Sequence, residues 1–278
     1  MKFSPKRFIA TAMAASLVIA ACGGGGEDAA GGPDTTVAGT PSTSVAVTST
    51  EAPPEDGAEA EGDATAVELP FEISVIGNSW PTNWASSTID LEELHVGISA
   101  PDPRDLIRPI DSPTYEDVAS ADAWLEDQEI GILLEVEGDA IFYPVRILIS
   151  HEIVNDQRGD VPFSLTYCPL CNTAAAFDRR VDGQVLRFGV SGLLRNSDLV
   201  MWDEATTSLW QQITGESIIG DFAGTQLEVI PTTIVSYGDV VDDFPDALSL
   251  SRDTGFNIEY GANPYQAYSS STSPFLFG

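Results

Sequence analysis

The amino-acid composition changes abruptly at Phe71, and this boundary limits which part of the chain can fold. Between Gly23 and Pro70 there is no aromatic residue, no lysine, no arginine and no histidine, whereas all five tryptophans, all seven tyrosines and both histidines come later. A segment of small, polar and acidic residues cannot bury enough apolar surface to offset the conformational entropy lost on folding. We therefore predict a disordered acidic linker up to residue 70 and a folded unit from Phe71 onward.

The first 21 residues have the pattern of an export signal. Three basic residues among the first seven precede an apolar run at residues 8–21. This run is shorter than the roughly 20 residues that a helix needs to cross a bilayer, so we expect cleavage rather than a membrane span.

The end of this signal, Ile19-Ala20-Ala21-Cys22, resembles a bacterial lipobox. The resemblance implies that Cys22 is acylated and becomes the N-terminus of an exported lipoprotein, on the outer face of the cell membrane or on another envelope membrane. Each buried CH₂ group of an acyl chain contributes about 0.8 kcal/mol, so a multiply acylated Cys22 would hold the protein on the membrane. Residues 22–70 would then be a tether. An incidental cysteine after a plain secretory signal is the alternative.

The charge of the chain excludes one class of partner. Twelve basic residues stand against 43 acidic ones, which gives a formal net charge of -31. A protein with this large negative net charge repels the phosphates of nucleic acids and the headgroups of anionic lipids. We therefore expect no nucleic acid partner and expect membrane attachment to depend on lipid alone. A protein partner is left open.

Short apolar segments alternate with tight turns in most of the folded unit. Asp182-Gly183, for example, supplies the positive φ that a tight hairpin needs. Strands at such short spacing favour antiparallel pairing over a doubly wound fold with long crossovers. We predict an α+β, β-rich single domain of mostly antiparallel strands with a few short helices. The predicted strands are residues 129–136, 140–145, 162–167, 177–181, 184–190, 199–202, 225–230 and 247–251.

The rest of the folded unit is assigned from weaker patterns. Short helices are predicted at residues 120–127, 208–212 and 237–244. Residues 71–75 alternate like a strand, but several prolines interrupt the next thirty residues or so. We treat residues 71–104 as an N-terminal extension packed on a globular domain at residues 105–268, with a C-terminal tail at residues 269–278.

The chemistry in this sequence centres on Cys168 and Cys171, in the segment Tyr167-Cys168-Pro169-Leu170-Cys171. With Cys22 assigned to lipid, they form an isolated pair of thiols outside the cytoplasm. Two thiols at this spacing can close a small disulfide ring or bind one soft metal ion. A structural zinc site uses four ligands and the chain has no second CxxC motif, so we do not expect a zinc ribbon.

Other residues are candidates to complete a site with the two cysteines. His151 is the nearest third ligand in sequence and Met201 a soft fourth ligand, and this donor set favours copper. Both also have structural alternatives, a hydrogen-bonded histidine and a core methionine. Polar residues at loop ends are further candidates, although they also shape turns or pin loops. These are Asn196, Asp198, Arg252 and Asp253.

A thioredoxin-like fold is one candidate for a chain with a CxxC motif. A predicted strand leads into the cysteines, and Ile230-Pro231-Thr232 is similar to the loop that faces the thiols in thioredoxins. That fold needs a long helix after the second cysteine, however, and the turn at Gly183 leaves no room for one. A redox role would therefore require a different fold.

Seven segments occur in an order and at a spacing that match a known pattern: HEIVND at 151–156, TYCPLC at 166–171, FGVSG at 188–192, NSDLVM at 196–201, SLWQ at 208–211, TGE at 214–216 and LSRDTG at 250–255. Together they resemble the uncharacterised bacterial family called domain of unknown function 3179. The resemblance covers about residues 105–268 and implies no reaction or ligand set.

Three functions are compatible with these features. The leading hypothesis is a membrane-anchored extracytoplasmic domain in which Cys168 and Cys171, with His151, bind a thiophilic metal ion, copper first. The second is a thiol–disulfide redox module that acts on partner proteins. The third is a non-catalytic binding or scaffold lipoprotein in which a short disulfide pins a loop. Whether the protein is an enzyme is left open.

Overall fold

The computed structural model describes residues 67–266 and 268–270, which belong to one compact unit. The predicted export signal, the lipid attachment at Cys22, nearly all of the linker and most of the C-terminal tail lie outside these residues. Within the described residues, none of the helices has the length and apolar character needed to cross a membrane.

The fold is built mainly from short strands. In chain order the strands β1 to β16 are Leu94–Val96, Tyr115–Asp117, Ile130–Val136, Asp139–Pro144, Ile153–Arg158, Val161–Cys168, Thr173–Asp178, Arg180–Val181, Gln184–Val185, Phe188–Arg195, Asp198–Asp203, Leu209–Gln211, Ser217–Ile219, Val229–Ile230, Thr232–Ser236 and Leu248–Leu250. The helices α1 to α4 are Phe71–Gly77, Val118–Ala121, Val145–His151 and Tyr237–Asp243, and two 3₁₀ turns lie at Leu91–Glu93 and Tyr268–Ser270.

Three sheets organise these strands. The first has the order β1-β10-β11-β12-β13, the second β14-β7-β6-β5 and the third β15-β3-β4-β16-β2, while β8 and β9 form a separate ribbon. Neighbouring strands are antiparallel except for β4 and β16, which run parallel. This confirms the predicted α+β, β-rich domain of mostly antiparallel strands.

The predicted tight turns fix the register of several hairpins. The turn between β3 and β4 consists of Glu137 and Gly138, with φ values of 53° and 88°. Asp182 and Gly183 join β8 to β9 in the same way, with φ values of 49° and 79°. A turn with positive φ at both central residues matches the right-handed twist of the flanking strands.

The apolar core is divided among clusters that join the sheets. One cluster combines Phe177 of the second sheet with Phe188, Met201 and Trp210 of the first, and it includes Cys168. Another holds the N-terminal segment to the first sheet, because Ile73 and Ile76 of α1 pack with residues of that sheet such as Val200. Strand β1, from the same segment, pairs with β10.

The structure resolves one ambiguous segment and corrects one predicted element. Residues 71–75, whose alternation is similar to that of a strand, belong to helix α1, in which Ile73 and Ile76 are buried while Phe71 and Val75 are exposed. Burial in this segment follows the helical spacing of three and not the period of two of the alternating apolar residues. The helix predicted at residues 208–212 is instead strand β12, which is held between β11 and β13.

Other elements were placed only approximately or were missed. The helix expected at residues 120–127 is α2, which begins after the Asp117 cap and is followed by turns. The strand expected at residues 225–230 is reduced to β14. Helix α3 and strand β5 were not predicted, and they matter because His151 ends α3.

Candidate functional site

The CxxC motif forms the loop of the hairpin between β6 and β7. Cys168 ends β6 and pairs with Thr173, the first residue of β7, so four residues make the connection. Asn172 adopts a φ of 49°, and the Tyr167 hydroxyl donates to its side-chain oxygen at 2.9 Å. In this loop Cys168 is only 1% exposed, while Cys171 is half-buried and packs against the same apolar cluster as Cys168.

A second hairpin brings a carboxylate to the same place. Asn196 and Ser197 connect β10 to β11 with φ values of 53° and 61°, and Arg195 pairs with Asp198 across this two-residue turn. The carbonyl oxygen of Ser197 lies 3.8 Å from Sγ of Cys168 and accepts from the thiol. Asp198, the first residue of β11, is 4% exposed.

Cys168, Cys171 and Asp198 form a three-residue cluster between two sheets. One ligand atom from each residue lies within 4.8 Å of the other two. Sγ of Cys171 is 3.2 Å from Oδ1 of Asp198 and 2.9 Å from Oγ1 of Thr173. Both cysteines are free thiols. We call this group the Cys–Asp cluster.

Hydrogen bonds fix the orientation of the Asp198 carboxylate. Its Oδ2 atom accepts from the side-chain amide of Gln211 at 2.5 Å and from the backbone N–H of Ile213 at 3.1 Å. Oδ1 is thereby directed at Cys171. In metal sites such bonds to the outer oxygen orient a ligating carboxylate and are a large part of the affinity.

A buried polar chain supports the other side of the cluster. The hydroxyl of Thr173 donates to Oε1 of Gln212 at 3.1 Å, and the amide of Gln212 donates to the hydroxyl of Thr166 at 2.8 Å. Thr166 in turn donates to the carbonyl oxygen of Ala175. Because Gln212 is fully buried, its amide is satisfied only while both threonines are in place.

The two thiols differ in acidity. The hydrogen bond between them raises the pKa of Cys168 and lowers that of Cys171, and burial further disfavours ionisation of Cys168. The nearby Asp198 carboxylate opposes the ionisation of both, but at Cys171 the net effect is a lowered pKa. Cys171 is therefore the thiol that ionises more readily, and it is also the more accessible one.

His151 lies outside the Cys–Asp cluster. Its Nδ1 atom lies 2.6 Å from the carbonyl oxygen of Arg108 and its Nε2 atom 2.6 Å from the hydroxyl of Tyr260. Both ring nitrogens are thus engaged in hydrogen bonds, which leaves neither available to a metal ion at the cysteines. The expectation that His151 is the third ligand is corrected, and Asp198 occupies that place in the cluster.

The remaining candidate residues from the sequence make structural contacts. Met201 is fully buried in the apolar cluster that contains Cys168, opposite Trp210 on the neighbouring strand. Asn196 shapes the hairpin turn before Asp198. The guanidinium of Arg252 lies 4.7 Å from the centre of the Trp124 ring, and the backbone oxygen of Asp253 accepts from Thr114. Neither of the last two belongs to the Cys–Asp cluster.

Sequence reasoning missed the residues that support the cluster. Thr173, Gln211 and Gln212 are ordinary polar residues in the sequence, and only their burial and hydrogen bonds distinguish them. A polar pair directly after the apolar residues Leu209 and Trp210 is a weak signal, because such a pair also suits the exposed end of a strand.

Comparison with known proteins identifies the family. The family model described as "Protein of unknown function (DUF3179)" matches residues 104–278. The chain belongs to the DUF3179 family. The match begins close to the boundary at which the sequence resemblance begins, and it includes both hairpins of the Cys–Asp cluster. No curated protein and no solved structure matches the chain.

Proposed function

We propose that this DUF3179 domain binds a thiophilic metal ion through Cys168, Cys171 and Asp198. The observation that carries the proposal is the convergence of two thiols and an oriented carboxylate oxygen within 4.8 Å of one another, on hairpins of two different sheets. Thiolates select soft and borderline ions such as Cu(I) and Zn²⁺, and carboxylates accompany them in zinc sites.

The cluster is suited to an exchangeable ion. Three protein ligands leave a coordination position open, whereas closed structural zinc sites use four. Cys168 is buried, but Cys171 is half-buried and gives the ion a route to solvent or to a partner's ligand. We propose storage or delivery of copper first, because a pair of thiolates satisfies the low coordination number of Cu(I).

Metal binding would be coupled to proton release. A thiol binds a metal ion as its thiolate, so Cys168 and Cys171 must each lose a proton on binding. Cys171, with the lowered pKa, provides the first thiolate, and the bound ion then favours ionisation of Cys168. The affinity should therefore increase with pH.

Native mass spectrometry of the whole chain, purified without chelator, tests the proposal. We expect one metal ion per chain after incubation with Cu(I) or Zn²⁺, and no ion in Cys168→Ser or Cys171→Ser. Cys22→Ser is the matched control, since it removes the third cysteine of the chain without touching the cluster. Competition with chelators specific for Cu(I) or Zn²⁺ then identifies the preferred ion. Folded, reduced protein that binds neither ion would refute the proposal.

A second function is favoured by the different acidity of the two thiols. We propose as the alternative that the pair exchanges with a disulfide of a partner protein. The Cys171 thiolate would attack the partner disulfide and form a mixed disulfide; Cys168 would then attack Cys171 and release the reduced partner. The domain leaves this cycle oxidised by two electrons, which the partner has gained.

Thiol chemistry separates the alternative from metal binding. Redox exchange predicts that Cys171 of the metal-free reduced protein reacts with iodoacetamide at neutral pH faster than an ordinary cysteine. It also predicts a Cys168–Cys171 disulfide that reacts with dithiols in the folded state. A Cys171 that resists alkylation while the protein is folded would rule out this alternative.

We further propose that the protein is exported and anchored by acylation of Cys22. The support is the lipobox-like segment at residues 19–22 and the compositional break between the linker and the folded unit. Mass spectrometry of the N-terminal peptide should show an acylated Cys22 at the mature N-terminus, and Cys22→Ser should move the protein out of the membrane fraction. An unmodified cysteine in the mature protein would contradict the anchor.

A further inference from the structure

A row of hydrogen bonds connects the N-terminal extension to the Cys–Asp cluster. Oε2 of Glu93 accepts from the guanidinium of Arg195, at 2.8 Å from Nε and 2.7 Å from Nη2. Nη1 of Arg195 donates to Oε1 of Gln211 at 3.2 Å. The amide of Gln211 donates to Oδ2 of Asp198, and Oδ1 of Asp198 faces Cys171. Side-chain contacts thus run without a break from an ion pair beside β1 to a thiol of the cluster.

The backbone holds both partners of this ion pair in place. Glu93 ends the first 3₁₀ turn, and its Oε1 accepts from the backbone N–H of Asp90 at 3.2 Å in a capping box. Leu94, the first residue of β1, pairs with Arg195 in β10. Arg195 in turn lies opposite Asp198 across the hairpin turn. The guanidinium is therefore confined between the N-terminal extension and the strands that carry Asp198.

The side-chain amide of Gln211 can satisfy its partners in one orientation only. The residue is 4% exposed, so water does not replace a missing partner. A guanidinium only donates and an ionised carboxylate only accepts, so the amide oxygen must face Arg195 and the NH₂ group must face Asp198. The same NH₂ group also donates to the backbone carbonyl of Arg195 at 3.4 Å. Turning the amide over would set donor against donor or acceptor against acceptor at each of these contacts.

The orientation of Gln211 determines which oxygen Asp198 presents to the cluster. Oδ2 is occupied by the Gln211 amide and by the backbone N–H of Ile213, so Oδ1 is the atom left for Cys171 or for an ion. If Gln211 presented its oxygen instead, the carboxylate would lose a donor and be repelled. Since such outer hydrogen bonds orient a ligating carboxylate, the amide needs a fixed orientation for the site to stay formed.

We propose that Arg195 is a positioning residue for the Cys–Asp cluster: it fixes the orientation of the Gln211 amide and so keeps Oδ1 of Asp198 directed at the ion. The proposal rests on the proposed function in taking the cluster as the metal site. Glu93 anchors the guanidinium, and Glu93 lies outside residues 104–278, which match the family model. The N-terminal extension therefore supports a site whose ligands belong to the family domain.

Chelator competition with Zn²⁺ and with Cu(I) tests the effect on binding. Arg195→Met removes the donors and keeps an unbranched side chain, and we expect the affinity to fall roughly tenfold. Glu93→Ala, which leaves Arg195 without its anchor, should weaken binding in the same direction. Arg180→Met is the matched control, since it removes an arginine from an ion pair with Asp178 outside the cluster. Equal affinities in Arg195→Met and Arg180→Met would overturn the proposal.

A double-mutant cycle shows whether Arg195 acts through Gln211. If it does, adding Arg195→Met to Gln211→Leu should change the affinity less than about twofold, because the amide that Arg195 orients is already absent. A merely structural ion pair between β1 and β10 would give the same loss in both backgrounds. A further loss of about tenfold in the Gln211→Leu background would therefore refute the positioning role.

The Gln211 amide can also be followed in the metal-free, reduced protein by NMR. Its side-chain NH₂ signal is identified by its loss in Gln211→Leu, and its protons should exchange slowly with water because they are buried and hydrogen-bonded. We expect exchange to be roughly tenfold faster in Arg195→Met and unchanged in Arg180→Met. Equally slow exchange in Arg195→Met would overturn the proposal. A parent protein that binds no ion would refute the proposed function but leave this measurement intact, so the two failures are distinguishable.

Discussion

The Sγ atom of Cys171 lies 3.2 Å from Oδ1 of Asp198, although the two residues are 27 positions apart in the chain. The contact joins the loop of one hairpin to the tip of another, and the two hairpins belong to different sheets. The neutral thiol donates a hydrogen bond to this carboxylate, whereas the Cys171 thiolate would be repelled by it, so Asp198 opposes ionisation of the thiol in the metal-free protein. A bound cation would offset the repulsion between thiolate and carboxylate, which is why the contact supports a metal site.

Replacing Asp198 with asparagine tests its place as a ligand. The variant keeps the shape of the side chain but removes its charge, and we expect the affinity for the bound ion to fall by at least about tenfold. Titration with a competing chelator measures this change. Asp253→Asn removes an equal charge from an exposed aspartate outside the cluster and should leave the affinity unchanged. Equal affinities in the two variants would exclude Asp198 from the site.

The sequence identified part of this site because some signals are local. The CxxC spacing marked Cys168 and Cys171, and the polar segment before β11 made Asp198 a candidate. Their convergence depends on how two sheets face each other, which no local pattern encodes. His151 is closer to the cysteines in the sequence than Asp198 is, but its ring is hydrogen-bonded to Tyr260, 109 residues further along the chain. The hairpin turns were predictable because positive φ restricts residue choice at single positions.

Removing the Gln212 amide tests the support of the cluster. Gln212→Leu leaves the hydroxyls of Thr173 and Thr166 without their buried partner, so we expect the free energy of unfolding to fall by about 1–3 kcal/mol. The three ligands remain, so one ion should still bind, roughly 10- to 100-fold more weakly. Urea unfolding and chelator competition measure the two effects. A normal affinity in the variant would show that the polar chain does not position Cys171.

The hairpin tip before Asp198 can be tested through its backbone. Asn196 has a φ of 53°, a conformation that asparagine tolerates and a β-branched residue does not. We therefore expect Asn196→Val to destabilise the protein by about 1–3 kcal/mol and to weaken metal binding by displacing Asp198. Asn257→Val, at an exposed position without positive φ, is the matched control. If both variants unfold at the same urea concentration, the turn does not depend on Asn196.

The burial of Glu152 gives a pH dependence of stability with a definite sign. Its pKa is about 7 in the folded protein and 4.5 as an ordinary carboxyl, so the folded state binds more protons between these values. Stability is therefore lost as pH rises through this window, by about 3 kcal/mol in all, and the loss is complete above about pH 7.

Glu152→Gln removes this titration, because glutamine is neutral throughout. Other carboxyls titrate in both proteins, so the informative quantity is the difference in unfolding free energy between variant and parent. We expect this difference to shift in favour of the variant by about 2–3 kcal/mol between about pH 5 and about pH 8, as measured by urea unfolding. If the difference in unfolding free energy were constant with pH, Glu152 would ionise in the folded protein as readily as it does in water, although the residue is only 5% exposed.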